Sequence, residues 1–302
     1  MTDLKIAVIG ETGQLARALK TRGLSQGHMI RSYGRQNLNL ASDPKLIRDF
    51  VGGLKDADVL INAAAYTAVD AAEDNECIAH KVNASAPGIM AEICADRNIP
   101  FIHVSTDYVF SGAQSTPYSV EDVTEPLGVY GKSKLLGENA VLKAGGQISI
   151  LRTSWVYDGI GSNFFTTMLK LAHGRAEIDV VSDQFGRPTY AGHLADAAFI
   201  VAKSLVAGAK DAVGVFHVSG TGAPIHWAQF ARAIFEISRA HLPHIISVRD
   251  IPSDAYATRA KRPTYSVMDV IHFERTFQTK LPNWNEGLKE AFAEWEHRDE
   301  NG

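Results

Sequence analysis

Short apolar runs alternate with longer amphipathic stretches through the first half of the chain. Lys5–Ile9, His28–Ser32, Asp58–Asn62, Phe101–Ser105 and Ile148–Arg152 read as strands. Between them, Gln14–Arg22, Pro44–Val51, the alanine-rich run Asp70–Arg97 and Lys132–Lys143 read as helices. The strands are almost continuously apolar, as in Val59-Leu60-Ile61, which places both of their faces against protein. That alternation predicts an α/β fold with a doubly wound parallel sheet under crossover helices.

After Arg152 the rhythm loosens. Asn163–His173, Gly192–Ser204, Ile225–Ala240 and Trp284–His297 read as helices, with short strands near Ile178–Val181, Val215–Val218 and Ile245–Val248. No Pro/Ser/Gly-rich linker, charge run or internal repeat separates the halves. The expected division is a dinucleotide-binding region at 1–154 and a smaller α/β substrate lobe at 155–302. The two are expected to dock tightly, with part of 176–219 completing the first sheet.

Composition narrows the function classes. The 302 residues are 45% hydrophobic and 21% charged, ordinary for a globular protein with a sizeable core. A net charge of -4 gives no electrostatic footprint for nucleic acid or an anionic membrane. Two cysteines, Cys77 and Cys94, are too few for a disulfide framework or structural zinc, and are expected to be buried or half-buried free thiols. The apolar run Ile6–Ile9 is too short for a signal peptide, and Tyr190–Lys210 is interrupted by Asp196 and Lys203. A cytoplasmic protein is expected.

Gly10-Glu11-Thr12-Gly13-Gln14-Leu15-Ala16 follows the first strand and opens a helix. Gly10 permits a tight turn, Gly13 a close approach of backbone to a pyrophosphate, and Ala16 close helix–strand packing. The sheet is therefore expected to be Rossmann-like. An acid at the end of strand two would favour NAD, but Met29–Arg35 carries Arg31 and Arg35 instead. Their guanidinium groups suit a 2′-phosphate, favouring NADPH over NADH, or are ordinary surface charge. Ala63, Ala64 and Ala65 at the end of strand three leave room for a dinucleotide.

The chemical groups come next. Strand four ends in Val104-Ser105-Thr106-Asp107-Tyr108, at the sheet edge where ligands bind in open α/β folds. Tyr130 and Lys134 open the following helix at i,i+4 spacing, on one face. A nearby ammonium would stabilise the phenolate and bring the phenol toward the working range. Thr106 would hold the reacting oxygen beside Tyr130.

In combination these motifs resemble an extended short-chain dehydrogenase/reductase, and closely one branch of it, the dTDP-4-dehydrorhamnose reductases. The matching segments are Gly10–Leu15, Asn62–Asp70, Ser105–Phe110, Tyr130–Lys134, Arg152–Tyr157 and Asp183–Thr189. The resemblance implies NADPH-dependent reduction of the 4-keto group of a dTDP-6-deoxy sugar to dTDP-L-rhamnose, a precursor of cell-surface polysaccharide. It implies that Thr106, Tyr130 and Lys134 are catalytic, and that Thr67, Val69, Thr106, Asp107, Tyr108 and Trp155 line the sugar site. Cofactor contacts would come from Gly10, Thr12, Gly13, Gln14, Leu15, Arg31, Arg35, Asn39, Leu40 and Ala63–Ala65, with Tyr130 and Lys134.

Some positions depart from the pattern. Ala18 and Gly192 stand where some members carry metal-bridging glutamates, so a monomer or a dimer without a metal bridge is expected. Tyr265 and Asn39 replace a frequent Asn and a usual acid. His241-x-x-His244 is interrupted by Pro243 and is not read as a metal site. Arg259, Lys261 and Arg262 read equally as a pyrophosphate clamp or a solvated loop, and the acidic run Asp70–Glu76 as a solvent-facing helix start. A dehydratase or epimerase on the same scaffold, another nucleotide-sugar 4-keto reductase and a non-catalytic NADP-binding subunit are the alternatives. A dehydratase needs a second carboxylate after Asp107, where Tyr108 stands.

Overall fold

The strands expected in the first half all pair in parallel. The computed structural model describes residues 3–299. In it β1 (Lys5–Ile9), β2 (Met29–Tyr33), β3 (Val59–Asn62), β4 (Phe101–Thr106) and β5 (Ile148–Thr153) form one sheet, with a sixth parallel strand, Gly214–His217, from the second half. The order runs from the Gly214–His217 strand through β5, β4, β3 and β1 to β2. The chain starts at β1, winds outward to β2, then crosses back to β3. The strand order therefore reverses at the carboxyl ends of β1 and β3, the crevice where such sheets bind ligands.

Helices α1 (Gln14–Ser25), α2 (Pro44–Gly52), α3 (Val69–Ala72), α4 (Glu76–His80), α5 (Ala86–Asp96) and α6 (Val129–Ala144) belong to the first half. The second half supplies α7 (Phe164–Ala172), α8 (Ala191–Val206), α9 (Trp227–Ile237), α10 (Ile271–Thr276) and α11 (Trp284–Asp299). One sheet face buries Ile6, Val8 and Ile61 beneath Leu19 of α1 and Leu194 and Phe199 of α8. The other buries Ala7, Ile9 and Leu60 against Ile47, Met90 and Val141 of α2, α5 and α6. Both faces being covered explains the continuous apolar strands. A separate core of Tyr157, Phe165, Ile178, Phe230 and Trp284 fills the second lobe.

Three local expectations are corrected. Asp70–Arg97 is not one helix. It runs through α3, α4 and a π turn at Lys81–Ser85 into α5. Pro87 lacks the N–H that would reach the Asn83 carbonyl, so the turn widens there. That carbonyl faces Gly137 of α6, where a Cβ would fall 2.0 Å from it. Ile225–Ala240 begins as a strand, Ile225–His226, antiparallel to Phe185–Gly186. Helix α9 starts only at Trp227, under a capping box between His226 and Gln229. Cys94 is buried, its thiol pushed up to about 12 by burial, whereas Cys77 is exposed. Among the described residues, no helix is long and apolar enough to cross a membrane.

Candidate active site

At the strand-order reversal, β1 ends at Ile9 and the chain turns at Gly10 with φ +124°, a conformation that favours glycine. The Gly10 N–H donates to the Tyr33 carbonyl at 2.9 Å. A Cβ on Gly10 would lie 3.4 Å from backbone atoms of Ala63 and Ala64, so the turn sits directly on the end of β3. Helix α1 follows with Gly13 as N-cap, no side-chain cap and no acid in its first turn. A Cβ on Gly13 would meet nothing within 4 Å. Uncapped amides at the positive end of a helix, beside open space, fit a diphosphate. Gln14 Oε1 is buried with no protein partner, and Leu15 packs into the core. Arg17 donates to the Thr12 carbonyl and is held by Asp158 at 2.6 Å.

The two arginines differ in placement. Arg35 lies in the turn after β2, two residues past its end. Arg31 is opposite Ala7 in mid-strand, lining a pocket with Lys5, Met29, Tyr33 and Lys55. Sequence reading finds no acid at the end of β2, yet the fold supplies one. Glu11 of the glycine turn lies against Gly34, where a Cβ would fall 2.1 Å from its Oε2. Asn39 turns its Oδ1 to the Ala41 N–H at 3.1 Å, and Leu40 is buried in the core.

The chemical end is built where β4 meets α6. Thr106 Oγ1 accepts the Tyr108 N–H at 3.2 Å and donates to Asp107 Oδ1 at 3.1 Å, capping a tight turn over Asp107–Val109. Helix α6 carries Tyr130 in its first turn and Lys134 one turn later. The helix sits close because Gly131 has no side chain: a Cβ there would fall 2.2 Å from the Tyr108 carbonyl oxygen. The Tyr108 and Tyr130 rings meet edge to face with centroids 5.5 Å apart. Gly128, the N-cap, offers no side chain, and Glu73 Oε1 accepts the Val129 N–H at 2.9 Å in its place. Buried Asn83 joins Ser133 Oγ at 3.0 Å to the Tyr66 carbonyl at 3.1 Å and accepts the Tyr66 N–H at 2.7 Å. Thr67 follows on that loop, exposed, and Val69 opens α3, half-buried.

The acidic run does not simply face solvent. Asp70 pairs with Arg262 at 2.6 Å and Asp74 with Arg259. Asp70 also accepts the Ala260 N–H at 3.0 Å. Arg262 touches the Tyr108 hydroxyl as well, so the late Arg-Pro segment ties α3 to the turn after β4. Beyond it Tyr265 packs beside Val109, Phe110, Tyr118 and Met268.

Burial dominates the electrostatics. Desolvation pushes the Tyr130 phenol up to about 12, with the Thr106 hydroxyl drawing it down and Asp107 raising it. The expected lowering of Tyr130 by Lys134 is not what the structure shows. The Lys134 amine instead donates to the Val104 carbonyl at 2.6 Å and meets His103 Nε2 at 3.2 Å. Burial brings Lys134 down to about 8, with Glu138 opposing. Glu138 is itself neutralised by Arg152 at 2.7 Å. Burial raises Asp107 to about 6 against hydrogen bonds from Ser266 and Thr106, and its Oδ2 is buried with no hydrogen-bond partner.

Trp155 takes a left-handed backbone, φ +47°, uncommon for a bulky residue. Its indole stacks on Trp227 with centroids 3.5 Å apart and planes 8° apart. Gly186 makes room beneath: a Cβ there would fall 2.6 Å from the Trp155 ring. Sequence reading misses Trp227, Glu73, Asn83 and His103. Nothing local marks any of them, because each acts on a residue far away in the chain. Ala18 packs against the sheet core, and a Cβ on Gly192 would fall 2.8 Å from the Arg22 guanidinium. His241 pairs with Glu296, and His244 with the Arg175 carbonyl. Among the described residues no group of three or more His, Cys, Asp or Glu is placed to hold a metal ion.

A doubly wound parallel sheet with this glycine turn, and Thr, Tyr and Lys gathered at one edge, defines a Rossmann-type oxidoreductase of the short-chain dehydrogenase/reductase kind. The family model for the RmlD substrate binding domain matches residues 4–297. The chain belongs to the dTDP-4-dehydrorhamnose reductase family. It is 40% identical over 289 residues to a dTDP-4-dehydrorhamnose reductase of Sinorhizobium fredii, covering 95% of this chain and 96% of that one. It is 35% identical over 296 residues to the Escherichia coli K12 enzyme of that name, covering 96% and 98%. The crystal structure of the Bacillus anthracis dTDP-4-dehydrorhamnose reductase in complex with NADP superposes with TM-score 0.88 at 30% identity, covering 97% of this chain and 100% of that one.

Proposed function

We propose that this protein reduces the 4-keto group of dTDP-4-dehydro-L-rhamnose with NADPH, giving dTDP-L-rhamnose. One observation carries the reading: Thr106, Tyr130 and Lys134 gather at the end of β4, in the sheet whose β1 leads into the uncapped α1 turn, in a chain 40% identical to a reductase of that name. The α1 N-terminus with Gly10 and Gly13 would hold the cofactor diphosphate, Ala63–Ala65 its backbone, and Arg35 the 2′-phosphate. When bound, the reduced nicotinamide supplies a hydride to the carbonyl carbon. Tyr130 donates its hydroxyl proton to the carbonyl oxygen, which Thr106 holds by a hydrogen bond. Lys134 supplies positive charge against which the tyrosyl phenolate forms. The partnerless Asp107 Oδ2 accepts a sugar hydroxyl, and Tyr108, Thr67, Val69 and Trp155 on Trp227 form the walls.

In this reading residues 1–154 carry the cofactor and 155–302 the sugar nucleotide. The protein works in the cytoplasm as a monomer or a dimer without a metal bridge, and its product feeds cell-surface polysaccharide. Its rate and sedimentation are the same in EDTA and in excess Mg²⁺. The deciding experiment is incubation with NADPH and dTDP-4-dehydrorhamnose, following loss of nicotinamide absorbance and formation of dTDP-L-rhamnose. Cofactor binding without turnover would favour a non-catalytic NADP-binding subunit instead.

A further inference from the structure

The proposed catalytic lysine ends a fully buried chain of three side chains, Asn62, His103 and Lys134 itself. Asn62, at the end of β3, accepts the Ala64 N–H on Oδ1 at 3.2 Å, and its Nδ2 faces His103 Nδ1 at 3.1 Å. His103 Nε2 faces the Lys134 amine at 3.2 Å. The backbone amide of Ala64 can only donate, so it fixes which end of the Asn62 amide is oxygen. Asn62 Nδ2 then donates to His103 Nδ1, which must be the bare nitrogen. The imidazole proton sits on Nε2, pointing at Lys134. An ammonium there would set one donor against another, whereas a neutral amine accepts the Nε2–H and still donates to the Val104 carbonyl at 2.6 Å.

We propose that His103, fixed in its tautomer by Asn62, is a positioning residue that loosens the hold of Lys134 on its proton. The inference rests on reading Lys134 as part of the reductase machinery. Among the groups facing Lys134, His103 is the one whose hydrogen bonding opposes an ammonium. Tyr130 is a neutral phenol, the charge of Glu138 is taken by Arg152 at 2.7 Å, and Asp107 lies beyond Thr106. Burial lowers both groups, Lys134 to about 8 and His103 well below its ordinary range, in the same direction as the hydrogen-bond geometry. Asn62 cannot pass a proton onward, so the chain sets a protonation state and is no relay. Its effect falls on the upper pH limit of catalysis: Lys134 must keep its proton to balance the phenolate, and His103 loosens that proton.

The test is a pH titration of lysine-13Cε NMR signals in the full-length protein, with the Lys134 signal assigned by its loss in Lys134→Arg. His103→Gln can present an acceptor oxygen, so the Lys134 midpoint should rise by on the order of one pH unit. The alkaline limb of kcat/KM should rise with it. A rate lowered at every pH, with both midpoints unmoved, would make His103 structural and overturn the proposal. Should His103→Gln not fold, 15N–1H spectra of the unaltered protein decide: an Nε2–H tautomer supports the proposal and an Nδ1–H tautomer sinks it. The titration needs no sugar substrate. A shifted Lys134 midpoint without turnover would keep the His103 assignment and reject the reductase reading.

Discussion

Glu73, at the end of α3, caps a helix that is not its own: its Oε1 accepts the Val129 N–H at 2.9 Å, one residue before Tyr130. A carboxylate at the positive end of α6 satisfies an amide that Gly128 leaves bare and lies favourably in the helix dipole. Glu73→Ala is expected to cost about 0.5–2 kcal/mol of stability. Turnover should fall several-fold as the first turn of α6 frays, and Glu73→Gln should recover most of both losses. Urea unfolding alongside kcat checks this, and an unchanged midpoint in the alanine variant would refute it.

Tyr130→Phe keeps the ring that packs on Tyr108 and removes only the hydroxyl. The fold and cofactor affinity should survive, while turnover drops on the order of 10²-fold or more through loss of the proton donor. Steady-state kinetics and cofactor fluorescence titration separate the two effects. Near-normal turnover would remove Tyr130 from the mechanism.

Lys134 and Asp107 bracket the pH range. With Lys134 near 8, kcat/KM should fall as pH rises through about 8 and the ammonium is lost. Asp107 has a folded pKa of about 6, above its ordinary value, so its ionisation penalises the fold above pH 6 and not below its unfolded pKa. Asp107→Asn should therefore stabilise the protein at pH 8, by on the order of 1–3 kcal/mol, and lose that advantage at pH 3.5. Activity should drop in the same variant because the sugar contact is gone. Denaturant midpoints at the two pH values test the sign.

Cofactor preference should divide the two arginines. Arg35→Ala should lower NADPH preference over NADH by roughly ten- to a hundredfold, the worth of a charge-assisted phosphate contact. Arg31→Ala, at a mid-strand position opposite Ala7, should change it little. Glu11→Gln removes a carboxylate from beside Gly34 and should raise the preference for NADPH. Ratios of kcat/KM for the two cofactors measure all three, and equal losses from both arginines would contradict the geometry.

The five strands of the first half were legible because burial on both faces makes their apolar runs continuous, and the glycine turn and the Tyr130–Lys134 pair because each is local in sequence. What escaped is non-local. Val156–Tyr157, Phe185–Gly186 and Thr189–Tyr190 are too short to show a period and exist only through their partners. The π turn at Lys81–Ser85 follows from one missing amide at Pro87. Asp70 and Asp74 read as solvated acids until Arg262 and Arg259 are folded onto them from the far end of the chain. Trp155 was visible as an aromatic in a motif, but its stacking partner Trp227 was not.

The Gly214–His217 strand has a consequence for anyone who cuts this chain. It pairs along β5 from Ser149 to Arg152, and every residue of β5 is buried. A fragment ending at 154 would carry that strand as a bare, apolar rim with a row of unpaired amides and carbonyls, a template for another polypeptide. Such a fragment should precipitate or assemble with itself. Residues 155–302, supplied as a separate chain, should rescue it by slotting the missing strand back into place.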